Sequence, residues 1–275
     1  MSLLPIASKF FLRAVAAAIL FLGALHVPVS AQTKPKVTSS GVEDPSSAIW
    51  VGNSFYYYNN GMPGLLTQII VSANPGYKIR QTMATIGGSG FDWHDMDSYF
   101  RPNAVGSYSF DGNNNVVFNK PNRLFDLAVM MDCSQCPIHP TLGKVFVDFA
   151  KKNSDIVRKH GAKPVFFMSW AYQDKPEMTA ELAEAYTKAA NDNDAFVIPV
   201  GLAFARSIAQ RPALNLYQPD KRHPTLAGTY LGAVTAYAAL FKKSAVGIKH
   251  DAGLGEETAR FLQKIADETV KAYYQ

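Results

Sequence analysis

Cysteine is scarce in this chain, charge is sparse, and basic residues nowhere gather into a long run. The two cysteines, Cys133 and Cys136, are too few for a zinc site of about four ligands, because no His pair stands at a matching spacing. Charged residues make up 18% of the 275, and the formal net charge is +5. Their scatter excludes the basic stripe that a nucleic-acid surface needs. No apolar run reaches the ~20 residues of a membrane-spanning helix. The chain is therefore expected to act without metal or organic cofactor, without a nucleic-acid partner, and with no integral membrane segment after processing.

What is present begins with an export pattern. Lys9 and Arg13 precede an apolar run from Ala14 to Leu25, and Val29-Ser30-Ala31 puts small residues at minus three and minus one of a cleavage point. Residues 1–31 are thus expected to be a signal peptide cleaved after Ala31, giving a secreted or periplasmic protein. Cleavage leaves 244 residues with a charge of about +3, a length that suits one α/β domain with a single core. Residues 32–47, poor in large apolar side chains, read as a flexible lead-in, and 48–275 as the domain. In an oxidising compartment the closely spaced Cys133 and Cys136 are expected to pair in a small disulfide.

Apolar, β-rich runs recur at 48–51, 78–83, 125–131, 164–168 and 195–198, the pattern of buried parallel strands. Helix-like stretches at 62–72, 141–160, 175–191 and 202–210 fall between or after them, and two amphipathic stretches, 225–242 and 256–274, close the chain. This alternation predicts a three-layer α/β/α sandwich around a five-stranded parallel sheet. The segment 99–123 does not fit; Phe110-Asp111-Gly112 through Phe118 reads as a hairpin, expected to be a flap near the sheet's active edge.

Two short stretches carry chemistry. The first strand runs into Gly52-Asn53-Ser54-Phe55, so Ser54 stands at the carboxyl edge, where open α/β sheets bind ligands. Gly52 is expected to permit a sharp turn there. Asp220-Lys221-Arg222-His223-Pro224-Thr225 precedes a late helix, with Pro224 suited to its first position. An Asp three residues before a His can accept from Nδ1 and leave Nε2 to take a serine proton, which is the base-and-orienter half of a triad. Each stretch alone is also an ordinary turn or cap. Their joint occurrence is harder to obtain by accident.

These residues are where a family resemblance enters. Trp50-Val51-Gly52-Asn53-Ser54-Phe55-Tyr56-Tyr57-Tyr58-Asn59 resembles the Gly-Asn-Ser-Phe opening of one branch of the SGNH (GDSL-like) hydrolases, and 220–231 resembles their closing Asp-x-x-His block. The resemblance implies the flavodoxin-like SGNH fold and ester hydrolysis, with Ser54, Asp220 and His223 catalytic. It implies an oxyanion hole from the backbone N–H of Ser54 and of a glycine in the second block. Thr85-Ile86-Gly87-Gly88-Ser89-Gly90 fits that block, with Gly88 the choice and Gly87 beside it.

The third block departs from the family, which places an Asn after the third strand. Here the chain reads Met131-Asp132-Cys133-Ser134-Gln135-Cys136, so Gln135 or Ser134 would have to donate instead. Trp93, His94, Trp170 and Tyr172 resemble aromatic positions of the same branch that would line an acyl or sugar pocket, although aromatics at strand ends commonly pack. His139, His160 and His250 read as surface residues. Export suggests an ester outside the cytoplasm, such as an O-acetylated saccharide. Acyl transfer to a sugar, or an inactive carbohydrate-binding or envelope protein on the same fold, are the competing readings.

Overall fold

The computed structural model describes residues 33–105, 107–118 and 123–275. The expected signal peptide lies outside them. In chain order the elements are β1 (Ser47–Gly52), α1 (Ser54–Tyr57), α2 (Met62–Ala73), β2 (Arg80–Thr85), α3 (Met96–Tyr99), β3 (Tyr108–Phe110), β4 (Val116–Phe118), β5 (Leu127–Met130), α4 (Leu142–Lys159), β6 (Lys163–Phe167), α5 (Met178–Asp192), β7 (Phe196–Ile198), α6 (Val200–Gln210), α7 (Leu226–Phe241) and α8 (Glu256–Tyr274).

Five of these strands form one parallel sheet in the order β2-β1-β5-β6-β7. The expected three-layer α/β/α sandwich is therefore present. Strand pleating sends alternate side chains to opposite faces. Trp50, Val129, Val165 and Phe196 lie in register across the sheet and pack with α2, α6, α7 and α8. Val51, Met130, Phe166 and Val197 form the neighbouring row on the other face, against α4 and α5. Burying each large apolar side chain stabilises the fold by roughly 1.5–3 kcal/mol. Helix α7 has neighbours on several sides, α2, α6, α8 and β7, and accordingly is apolar nearly all round. Among the described residues no helix is long and apolar enough to cross a membrane.

Residues 33–46, assigned to a lead-in by composition, lie against the domain. Thr33 bonds Glu184, Lys36 N–H donates to Asn191, and Val37 and Val42 pack on the core. Strand β2 begins at Arg80, two residues later than its apolar run suggests. The ladder to β1 opens there, with the Arg80 N–H on the Ser46 carbonyl.

The hairpin exists as β3 and β4, paired antiparallel around a turn at 111–115 in which Asp111 Oδ1 accepts from the N–H groups of Asn113 and Asn115. Its attachment corrects the expectation of a flap at the active edge. Phe100, before the excursion, packs edge-on to Phe125, just ahead of β5, and stacks on His160 at the end of α4. Both residues mark the amino edge of the sheet, so the excursion leaves and rejoins at the end opposite Ser54.

Candidate active site

In this strand order the chain passes from β1 to β2 on one side and returns to β5 on the other, so a crevice opens beyond the carboxyl ends of β1 and β5. That topological switch point is where open α/β sheets hold ligands. Ser54 is the second residue after β1 and opens α1.

Gly52 ends β1 for a reason other than a turn. A Cβ there would lie 2.9 Å from the Tyr56 ring and 3.2 Å from the Met131 carbonyl, so close packing excludes a side chain. Asn53 caps α1, its Oδ1 accepting from the Phe55 N–H, while its buried Nδ2 donates to the carbonyls of Ser89 and Asp132 at 3.1 and 3.0 Å. One amide thus ties the first block to the loops after β2 and β5.

Ser54 Oγ lies 2.8 Å from His223 Nε2, and His223 Nδ1 lies 2.5 Å from Asp220 Oδ2. Oδ1 of Asp220 accepts from the N–H groups of Arg222 and His223 at 2.9 and 3.0 Å. Burial pushes the Asp220 carboxyl up, but the His223 ring and these two N–H groups outweigh it and bring it down to about 2. Lys221 makes the compact loop possible by taking a left-handed φ of 65°. The carbonyls from Lys221 to Pro224 are each claimed: Lys221 by the Gln173 N–H, Arg222 by Trp170 Nε1, His223 by the Gln218 N–H and Pro224 by Asn59 Nδ2. The helix cap differs from expectation, since Thr225 caps α7 with its hydroxyl on the Gly228 N–H and Pro224 lies ahead of the cap.

Aromatic residues fix the imidazole from both sides. Tyr58 stacks on it at 4.2 Å between centroids, and Phe55 meets it edge-on at 5.5 Å. Phe55 is itself stacked on Trp170, which is stacked on Phe204. Trp170 is therefore fully buried, a wall behind the histidine instead of a pocket lining. Asn59, with a left-handed φ of 54°, also donates to Thr229 Oγ1. Sequence reasoning missed Tyr58 and Asn59 as holders of the histidine loop. An Asn in a short turn was the available signal for the left-handed residue.

In the second block Gly88 adopts a left-handed φ of 73°, with open space where a Cβ would be. Ser89 is buried and donates to the Gly52 carbonyl while sharing a 2.9 Å bond with His94 Nε2, and His94 Nδ1 meets the Tyr99 hydroxyl. His94 is thereby an internal strut of the loop, and burial lowers its pKa. Trp93, next to it, is 60% exposed.

The third block follows β5, closed by a Cys133–Cys136 disulfide as expected. Gln135 is exposed on this loop, and Ser134 Oγ is engaged with the Tyr172 hydroxyl at 2.6 Å. Asp132 is buried; its Oδ1 accepts from the N–H groups of Phe91 and Cys133, yet burial dominates and raises its carboxyl to about 7. His139 sits half-exposed at the start of α4, with its Nδ1 facing the N–H groups of Thr141 and Leu142. His160 is half-buried on Phe100, and the Nε2 of His250 is buried, so neither is a simple surface residue.

No family model matches the chain, and no curated protein matches it in sequence. Solved structures do resemble it. A DUF4886 family protein from Bacteroides uniformis aligns at a TM-score of 0.60 and 15% identity, over 83% of this chain and 96% of that one. A catalytic mutant of Axe2, an acetylxylan esterase from Geobacillus stearothermophilus, aligns at 0.51 and 11%, over 74% and 98%. A member of the lipolytic protein G-D-S-L family from Veillonella parvula aligns at 0.50 and 11%, over 72% and 99%. The fold is that of the SGNH hydrolases.

Proposed function

We propose that the protein is a serine ester hydrolase with Ser54 as nucleophile. The observation that carries this reading is the line Ser54 Oγ, His223 Nε2, His223 Nδ1, Asp220 Oδ2, with contacts of 2.8 and 2.5 Å at the switch point. A proton on Nδ1, held by Asp220, leaves Nε2 bare to accept the Ser54 proton as Oγ attacks the ester carbonyl. The imidazolium then returns that proton to the leaving alcohol, and water, activated by the same nitrogen, releases the acid from the acyl-enzyme. The N–H groups of Ser54 and Gly88 are the oxyanion donors in this scheme, with Gln135 on the third loop as the side-chain donor.

A saccharide O-acyl ester is the substrate class we favour. An exposed tryptophan, Trp93, beside the second block offers a flat apolar face of the kind on which sugar rings stack, and one structural neighbour is an acetylxylan esterase. The N-terminal export pattern supports a secreted or periplasmic location. Hydrolysis of p-nitrophenyl acetate and of longer-chain esters, by the wild type and by Ser54→Ala prepared identically, tests the reading. Loss of turnover with Ser54 is expected; equal rates in both proteins would contradict it.

A further inference from the structure

The loop that carries Asp220 and His223 also carries a charge that the proposed chemistry does not use. Arg222 is exposed, and its guanidinium rests 4.7 Å from the centroid of the Tyr172 ring. Tyr172 is buried and its hydroxyl is pinned to Ser134 in the disulfide-closed third loop. The Arg222 backbone is equally fixed, with its N–H on Asp220 Oδ1 and its carbonyl on Trp170 Nε1. The adjacent cation, Lys221, is neutralised, lying 3.4 Å from Asp174. Among the described residues no carboxylate lies within 4.0 Å of the Arg222 guanidinium. Asp220, the nearest acid in the chain, spends both oxygens on His223 and the backbone.

We infer that Arg222 is a specificity-determining residue that binds a carboxylate on the alcohol portion of the substrate, so that the preferred ester is one of an acidic saccharide. This rests on the ester-hydrolase reading. In that chemistry His223 Nε2 must hand its proton to the leaving oxygen, so the alcohol sits on the side of the 220–223 loop, next to Arg222. A guanidinium stacked on an aromatic face keeps its N–H edge free, and that planar fork matches a carboxylate at two points. Because the side chain is already held by Tyr172, little rotamer freedom is lost on binding.

The test compares two leaving groups on one acyl group: 4-nitrophenyl acetate and its 3-carboxy derivative, with wild type, Arg222→Gln, Arg222→Lys and Tyr172→Leu. The wild type is expected to favour the carboxylated ester by about 10-fold in kcat/KM, mainly through KM. Arg222→Gln and Tyr172→Leu should bring that ratio close to one, and Arg222→Lys should restore only part of it. Raising the salt concentration should shrink the wild-type ratio. A wild-type ratio near one, or a ratio that survives Arg222→Gln, would overturn the inference while leaving the hydrolase reading in place. If the wild type hydrolyses neither ester, that reading fails first, and calorimetry on the same proteins decides the anion site. Oligogalacturonate bound more tightly than oligoxylose, with the difference lost in Arg222→Gln, sustains it; equal binding or no binding of the two sugars removes it.

Discussion

Asp220 and Asp132 are both carboxyls near Ser54, and their surroundings push them in opposite directions. Asp220 is brought down to about 2 because hydrogen bonds from the His223 ring and two N–H groups outweigh its burial. Its folded-state value is below the unfolded one, so the stabilisation it gives is present above ~pH 4 and is lost as pH falls toward 2. Asp220 therefore stays ionised across the range in which an esterase would be assayed. Asp220→Asn is expected to lower kcat about 10³-fold or more with a small change in KM, because the imidazole loses the partner that fixes its tautomer. Steady-state kinetics against p-nitrophenyl acetate would show it, and a loss under tenfold would argue against an orienting role. Asp132 is the reverse case, raised by burial to about 7. Its charged form is penalised in the folded state, so the penalty begins near ~pH 4, where the unfolded group ionises, and is complete above 7. Asp132→Asn should accordingly gain Tm relative to the wild type between pH 4 and pH 7 and hold that gain at pH 8, as differential scanning fluorimetry across the series would reveal.

At the scale of elements, the Gly52-Asn53-Ser54 corner and the 220–225 loop are separate in sequence and joined by side chains from neither end alone. Asn59 is the clearest joint, donating to the Pro224 carbonyl and to Thr229. Asn59→Ala removes both bonds and leaves the Pro224 carbonyl only the longer 3.3 Å bond from Gln218 Nε2, so a loss of about 1–2 kcal/mol in unfolding free energy is expected, with kcat falling more than KM changes. Chemical denaturation read beside kinetics checks both parts. Gly52→Ala should destabilise by a similar amount, because the added Cβ meets the Tyr56 ring and the Met131 carbonyl.

The same elements show what a sequence can and cannot disclose. Ser54, Asp220, His223 and the cysteine pair were readable because each rests on local spacing: a serine after a buried strand, an Asp three before a His, two thiols three apart. Gly52 was found for the wrong reason, since its need is close packing from a residue 79 positions away in Met131 and not a backbone turn. Tyr58 and Trp170 escaped their roles because nothing local says which ring an aromatic side chain will face. For Trp170 the sequence leaves pocket lining and packing both open; stacking between Phe55 and Phe204 buries it and turns its N–H toward Arg222.

At the scale of the whole molecule, parallel pairing throughout the β2-β1-β5-β6-β7 sheet puts every strand's carboxyl end on one edge, and the serine, histidine and third loop meet there. The alternation of apolar runs and helical stretches was enough to foresee this. The attachment of the 108–118 hairpin was not foreseeable, because it depends on where Phe100 and Phe125 pack. Phe110 and Phe118 are 64% and 55% exposed on that hairpin, whose excursion leaves and rejoins the domain beside Phe100 and Phe125. Replacing both with Ser should raise solubility without altering kcat/KM, measured by light scattering and ester turnover. A large fall in turnover would place the hairpin in the site after all.

The central claim is that Ser54 is an activated nucleophile, and covalent labelling addresses it directly. Treatment with a fluorophosphonate ester, followed by intact-mass and peptide-mass measurement, should give one adduct on the peptide containing Ser54, with labelling slowed strongly in His223→Ala. No adduct, or an adduct on another residue with Ser54 unmodified, would contradict the account.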